Sequence, residues 1–84
     1  MGTTIKDLEK WLERGKKEKD ITHMIVVCDT FDYEDYPVYV GKKEDVQKVF
    51  HKYHGENMQT VMEVYSYKLS LKDQLRERRS FHFN

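Results

Sequence analysis

The sequence predicts one α+β domain, residues 1–84, in which two longer helices and one short C-terminal helix pack on one face of a mostly antiparallel sheet. We expect three or four strands. The chain has 84 residues, which suits a single domain and is too short for two hydrophobic cores. Residues 5–12 and 46–53 have apolar side chains at helical spacing, and the short β-branched segments 24–28 and 36–40 lie between them. The predicted order is α-β-β-α-β-α.

The first predicted helix begins after Thr3 or Thr4, either of which is a good N-cap residue. Its apolar residues recur on one helix face: Ile5, Leu8, Trp11 and Leu12. Gly15 either ends the helix in the left-handed conformation or lies inside it, at a cost of about 1 kcal/mol. We therefore expect the helix to end between Arg14 and Lys19.

Two predicted strands follow. Residues 24–28 form an uninterrupted apolar segment and predict a central strand that is covered on both faces. Residues 36–40 predict a second strand, in which Pro37 is acceptable only at the start or on an edge of the sheet. The two strands form a hairpin with an acidic connection. Because an edge strand has unpaired backbone groups, the sequence leaves open a homodimer that pairs through the second strand.

The second half of the chain predicts another helix and a third strand. Asp45 favours the start of the helix, and His54 and Gly55 favour its end. Residues 58–67 mix apolar and polar side chains on both faces, which predicts a half-buried strand. In that strand Met58 is expected to fill a gap in the core.

The C-terminal residues predict a short helix and a tail. Ser70 and Asp73 resemble a capping box, which opens a helix that runs toward Arg79. Residues 80–84 alternate between polar and apolar side chains. This tail is expected either to dock as a short fourth strand or to stay loose.

Composition limits the classes of function. Fifteen Lys and Arg residues balance fifteen Asp and Glu residues, and a net charge of zero disfavours nucleic acid as a partner. The single cysteine, Cys28, cannot close an intrachain disulfide, which favours a reducing cytoplasm. The first residues lack an apolar leader segment, and the longest apolar run is about a quarter of the roughly 20 residues that a membrane helix needs. We expect a cytoplasmic protein with no membrane partner.

The acidic connection is the most distinctive segment. It carries three rings and four carboxylates without a base: Phe31, Tyr33, Tyr36, Asp29, Asp32, Glu34 and Asp35. An EF-hand is excluded, because Glu34 stands where a calcium loop needs glycine and Val40 where it needs a bidentate glutamate. A solvated turn, a looser metal site and a protein interface remain open. In the interface the rings are anchors, while Asp32, Glu34 and Asp35 set the register and speed the encounter with a basic partner.

A basic cluster near the C-terminus offers an alternative function. Arg76, Arg78 and Arg79 lie close in sequence to two phenylalanines. Arginine beside an aromatic ring can stack on a base and bind phosphate, so the cluster could sequester a nucleotide or another small anion together with a tyrosine. The structural alternative is a set of arginines that stabilises the end of a short helix.

Signals for catalysis and for metal binding are weak. His51 and His54 have helical spacing, but the second pair of ligands that a zinc site normally shows is missing from the sequence. Cys28 follows an apolar run and precedes Asp29, which opposes formation of a thiolate. A metal-dependent hydrolase built on Asp29, Asp32 and a histidine is a further alternative. We expect no cofactor, no metal and no catalytic residue.

Residues 22–40, THMIVVCDTFDYEDYPVYV, resemble a stretch found in small uncharacterised proteins encoded by bacteriophages. Residues 57–59, 62–65 and 81–82 are similar as well. The resemblance implies a non-enzymatic protein that binds and redirects a component of the bacterial host, immune systems included. It therefore implies a host protein as partner and the cytoplasm of the host cell as location. The residues themselves, and not the resemblance, favour the acidic connection as the binding element.

Overall fold

The computed structural model describes residues 3–55, 58–77 and 79–84. The helices are α1 (Ile5–Lys16), α2 (Val46–Tyr53) and α3 (Leu71–Arg76), and the strands are β1 (Ile21–Asp29), β2 (Glu34–Gly41) and β3 (Gln59–Ser66). The strands form an antiparallel sheet in the order β2-β1-β3. The predicted α+β class, the order of the elements and the central position of β1 are confirmed.

Both faces of the sheet are covered by helices. Met24 and Val26 of β1 pack in a cluster with side chains of α1 and α3, whereas Ile25 and Val27 pack in a second cluster with α2. The prediction that all helices lie on one face is therefore wrong. The reason is in β1, where five consecutive residues, 23–27, are buried, so that each face needs its own cover.

Helix α1 is held close to the sheet by two tyrosines. Tyr39 and Tyr67 donate hydrogen bonds from their hydroxyls to the carbonyls of Trp11 (2.7 Å) and Leu12 (2.9 Å). Gly15 lies inside the helix, where a Cβ would be only 2.7 Å from Cε1 of Tyr39. Glycine is kept at this position because the rings occupy the space that a side chain would need.

The start of α1 is fixed by a capping box. Thr4 is the N-cap: its Oγ1 accepts a hydrogen bond from the backbone N–H of Asp7 (3.2 Å), and its own N–H donates to Oδ2 of Asp7 (3.1 Å). The prediction of Thr3 or Thr4 as the cap is confirmed at Thr4. This pair places the helix N-terminus over the sheet, so that Thr3 reaches β2.

A β-bulge in β3 explains its mixed pattern. The pairing of β3 with β1 shifts by one residue beside Met62. As a result Val61 and Val64 both lie in the cluster under α2, whereas Met62 and Tyr65 pack in the cluster under α1 and α3. An extra residue reverses the alternation of faces, which a strict period of two cannot reproduce.

The tail docks along the outer edge of β3. The N–H of Val64 donates to the carbonyl of Ser80 (2.7 Å), and the N–H of His82 donates to the carbonyl of Val64 (3.0 Å). The contact amounts to a single parallel bridge between Val64 and Phe81. The sheet therefore has three strands, and the tail covers the free edge of β3.

A polar network joins α3 and the tail to β3. The side chain of Gln74 accepts from the N–H of Ser66 (2.8 Å) and donates to its carbonyl (2.9 Å). The hydroxyl of Ser80 donates to the carbonyl of Gln74, and the hydroxyl of Ser66 donates to the carbonyl of Asn84 (2.6 Å). We call Ser66, Gln74, Ser80 and Asn84 the tail network. It satisfies polar groups that would be costly to bury alone.

The opposite edge of the sheet is strand β2, as the hairpin predicts. Pro37 is opposite Val26 of β1 and lies in the middle of this edge strand, away from its first residue. Proline is tolerated there because its missing N–H is not needed by a neighbouring strand. It also interrupts the row of donors that a second copy would use for strand pairing.

Candidate functional site at the acidic end of the sheet

The connection between β1 and β2 is short and fixed at both ends. Asp29 and Glu34 lie opposite each other as the last pair of the hairpin, so residues 30–33 form the turn. Oδ1 of Asp29 accepts a hydrogen bond from the N–H of Phe31 (2.9 Å), which is the bond of an Asx turn. Thr30 donates from both its N–H and its hydroxyl to the carbonyl of Met58, each at 2.7 Å. The turn is therefore tied to β1 and to the residue before β3.

Three large apolar side chains are exposed at this end of the sheet. Phe31 is 75% exposed, Tyr33 is 64% exposed and Met58 is 57% exposed. We call these residues, together with Asp32 and Glu34, the acidic tip. A cluster of exposed apolar side chains rimmed by charge is typical of a binding surface.

The backbone of the acidic tip is strained at two positions. Tyr33 (φ 56°) and Met58 (φ 61°) are the residues other than glycine with positive φ in the described part of the chain. The left-handed region costs a residue with a side chain about 1–2 kcal/mol. Such conformations persist where the surroundings impose them, and they are enriched at binding sites. Both strained residues present exposed side chains at the same end of the sheet.

Two carboxylates of the tip form no ion pair with the described residues. In residues 3–55, 58–77 and 79–84 the ion pairs are Lys42 with Asp20 (3.4 Å) and His82 with Glu77 (2.9 Å). Neither pair involves Asp32 or Glu34, which are both exposed. The charge of the tip is therefore available to an external partner.

The other two predicted carboxylates have structural roles. Asp29 forms the Asx turn, and Asp35 accepts a hydrogen bond from the hydroxyl of Thr3. Asp35 also lies opposite Cys28 in the hairpin. Burial, and then the nearby Asp35, raise the pKa of the Cys28 thiol, so its thiolate form is disfavoured.

The side chains of Tyr36 and Met58 lie in other surroundings than the sequence predicted. Tyr36, predicted as an exposed anchor, is half-buried against the cluster under α2, and its hydroxyl accepts a hydrogen bond from Nε2 of Gln59. It shares that face with Val38, because strand residues alternate. The prediction that Met58 fills a gap in the core is wrong, because β3 begins one residue later and Met58 lies in the preceding turn.

The predicted arginine cluster lies elsewhere. Arg76 and Arg79 line a cavity of about 420 Å³ between α1, α3 and the sheet, and Arg78 falls outside the described residues. Tyr65 also lines this cavity, but its hydroxyl donates to Glu63 (2.8 Å). The carboxylates on the rim are Asp35, Glu63 and Glu77. Because they offset the two guanidiniums, the cavity favours a ligand with charges of both signs over a nucleotide.

The histidines predicted as candidate ligands do not form a metal centre. Nδ1 of His54 accepts a hydrogen bond from the N–H of Val61 (3.2 Å), and its ring stacks on Phe50 at the end of α2. His51 is exposed on α2. In the described ranges no three His, Cys, Asp or Glu side chains are close enough to hold a metal ion.

The opposite end of the sheet is basic. The end of α1, the start of β1 and the segment after β2 lie close together there. The backbone carbonyl of Asp20 accepts a hydrogen bond from the N–H of Lys42 (2.7 Å), which joins the segment before β1 to the segment after β2. We call the cationic residues of this region the basic end: Arg14, Lys16, Lys17, Lys19, Lys42, Lys43 and Lys72. Strand β1 separates it from the acidic tip by about 26 Å at 3.3 Å per residue. The lysines on both sides of the hairpin are visible in the sequence, but only the topology of the fold shows that they lie close together.

No family model, curated protein or solved structure matches this chain. In the part of the chain that the structure describes, no helix has the length and apolar content needed to cross a membrane. The features of the described residues that bear on function are the geometry and the charge of the two ends of the sheet.

Proposed function

We propose that this protein is a non-enzymatic binding protein that docks through its acidic tip on a basic surface of another protein. The observation that carries the proposal is the exposure of Phe31 (75%) and Tyr33 (64%) beside two carboxylates that form no ion pair within the part of the chain that the structure describes. A turn whose only role was to join two strands would gain nothing from exposing two rings, one of them on a residue with positive φ.

The rings and the carboxylates have different roles in this proposal. An aromatic side chain buries about 150–250 Å², and at about 25 cal/mol per Å² two rings supply several kcal/mol before the costs of association. Phe31 and Tyr33 are therefore the anchors. Exposed carboxylates at a rim add little affinity, but they accelerate encounter with a basic partner. Asp32 and Glu34 are assigned that role.

The proposed partner is a bacterial host protein, which the protein modulates or inhibits. This identification rests on the resemblance of residues 22–40 to bacteriophage proteins. Carboxylates beside rings offer the charge of phosphates and the flat surface of bases, so a nucleic-acid-binding surface of the host, including one on a defence protein, fits the tip.

The experiment is a capture from bacterial lysate on immobilised protein, followed by mass spectrometry and by binding measurements with the purified partner. The test variant is F31A/Y33A. The matched control is F81A, which removes another exposed ring at the outer edge of β3. We expect wild type and F81A to retain the partner and F31A/Y33A to lose it. Equal retention by all three proteins contradicts the proposal.

A second candidate function is sequestration of a small ligand. It is favoured by the cavity that brings Arg76 and Arg79 together with Tyr65. A thermal-shift panel of amino acids, nucleotides and other small anions tests it, since a ligand at 100 times its Kd adds about 2.7 kcal/mol of stability. Stabilisation that is lost in R76Q/R79Q supports this candidate. A flat response across the panel contradicts it.

A further inference from the structure

The molecule has no net charge, but its charges are segregated. The acidic tip and the basic end lie at opposite ends of β1, about 26 Å apart. At physiological ionic strength the Debye length is about 8 Å, so the two ends do not neutralise each other. An approaching molecule therefore meets an acidic surface at one end and a basic surface at the other.

The basic end is concave, whereas the acidic tip presents exposed side chains. An open hollow of about 710 Å³ lies beside the last turn of α1, lined by Arg14, Lys17 and Lys19 and by the side chains of Ile21 and Tyr39. A second hollow of about 540 Å³ lies on the other side of the same turn. The basic end thus combines cations with an apolar wall.

Of the anions at the basic end, Glu18 is exposed and lines both hollows, whereas Asp20 and Glu44 are engaged by other groups. Asp20 pairs with Lys42 at 3.4 Å, and Oε1 of Glu44 accepts the N–H of Gly41 at 2.9 Å. The ion pairs of the described ranges include neither Lys17 nor Lys19. Lys17 and Lys19 therefore line the 710 Å³ hollow without an ion pair among the described residues, and together with Arg14 they outnumber the anions there, Glu18 and Asp20.

We propose that the basic end of one molecule binds the acidic tip of a second copy, so that the protein self-associates head to tail. Phe31 or Tyr33 would enter the hollow beside Ile21, while Asp32 and Glu34 meet Lys17 and Lys19. Charge complementarity and shape favour this occupant: the tip supplies two carboxylates and two exposed rings, and the hollow supplies cations and an apolar wall.

This contact has a consequence for regulation. It joins different surfaces on the two copies, so each dimer keeps one free tip and one free basic end. A tip that is held by another copy cannot bind a foreign partner. The inference rests on the proposed function in one respect, namely that both use the acidic tip. Self-association would then set the fraction of tips that are free.

The experiment is sedimentation of the full chain up to about 0.5 mM, in about 0.05 M and about 0.5 M NaCl, because a contact this small is weak and salt-sensitive. The variants are D32K/E34K, which reverses the tip, and K17E/K19E, which reverses the basic end. K48E on the exposed face of α2 is the control for a change of charge alone. We expect wild type and K48E to associate at low salt, with a dissociation constant at least tenfold weaker at high salt (about 1.4 kcal/mol).

The two reversed variants are expected to be monomers when alone. Their equimolar mixture should associate again in alternating copies, because the acidic tip of K17E/K19E matches the basic end of D32K/E34K and the reversed tip matches the reversed end. A wild type that stays monomeric at low salt overturns the proposal. Association that survives in both variants overturns it in favour of another interface, such as the edge of β2.

A monomeric wild type that binds a single-stranded oligonucleotide through Lys17 and Lys19 overturns the proposal in favour of nucleic acid. Capture by K17E/K19E at micromolar concentration separates this inference from the proposed function. That variant keeps an intact tip, so its retention of a foreign partner leaves the proposed function standing whatever the sedimentation shows.

Discussion

The acidic tip and the tail network use polar groups in opposite ways. In the tail network, Gln74 is 2% exposed and every buried side-chain nitrogen and oxygen among the described residues has a partner. In the acidic tip, Asp32 and Glu34 form no ion pair with any residue that the structure describes, and two rings are exposed. The first region therefore stabilises the fold, whereas the second leaves its charges and rings on the surface, where we propose that they contact a partner.

The largest expected effect is on the tail network. In Q74L the N–H of Ser66 loses its side-chain partner and the carbonyl of Ser66 keeps only the N–H of Leu69 (3.3 Å), and an unsatisfied buried group costs about 1–3 kcal/mol. We expect the free energy of unfolding to fall by about 2–4 kcal/mol, measured by chemical denaturation. Q47L on the exposed face of α2 is the control and should change it by less than about 0.5 kcal/mol. If Q74L were as stable as wild type, the tail network would not stabilise the fold.

A smaller effect tests the strain in the acidic tip. Y33G and Y33A both remove the side chain, but only glycine adopts φ 56° without a steric penalty. We expect Y33G to be about 1 kcal/mol more stable than Y33A. The same pair at Phe31, which is not among the positive-φ residues, is the control: F31G should be no more stable than F31A. Equal stabilities of Y33G and Y33A would show that the turn is not held in this conformation.

The smallest effect concerns the histidine that touches the tail. His23 is 6% exposed, and its Nε2 donates to the carbonyl of Asn84 (3.0 Å). Burial lowers the pKa of His23 below 6.5, an effect larger than the opposing hydrogen bonds from the tail. The unfolded chain therefore binds the proton first, so stability is retained above pH 6.5 and is lost as the pH falls from there to the folded pKa.

The direction of this pH dependence is checked by measuring the free energy of unfolding of wild type and of H23Q between about pH 7.5 and about pH 4.5. The difference in stability between the two proteins should shrink as the pH falls through the window below 6.5. A difference that grows instead would mean that the folded state favours the charged imidazole. H82Q is the control, since His82 contacts Glu77 outside the buried core.

The sequence was sufficient for the elements whose signals are local. Thr4, the apolar spacing of α1 and α2, and the β-branched run of β1 predicted helices and a central strand because each depends on neighbours in the chain. The presence of helices on both faces could also have been predicted, because a strand that is apolar on both sides has to be covered on each face of the sheet.

The parts that could not be predicted depend on contacts between distant residues. The bulge beside Met62 shows in the sequence only as a mixed pattern. The exposure of Met58 follows from a positive φ and from the hydrogen bonds that its carbonyl accepts from Thr30. The position of Tyr36 was decided by the register of β2, because one residue of shift moves a side chain to the other face.

The central claim is that the acidic tip binds a partner without supporting the fold. The most direct test measures F31A/Y33A twice: by chemical unfolding and by titration against the captured partner. We predict that the free energy of unfolding changes by less than about 1 kcal/mol, while the Kd rises by at least about thirtyfold, as for the loss of a hot-spot anchor. An unchanged Kd, or a loss of binding that only accompanies a loss of folding, would contradict the account.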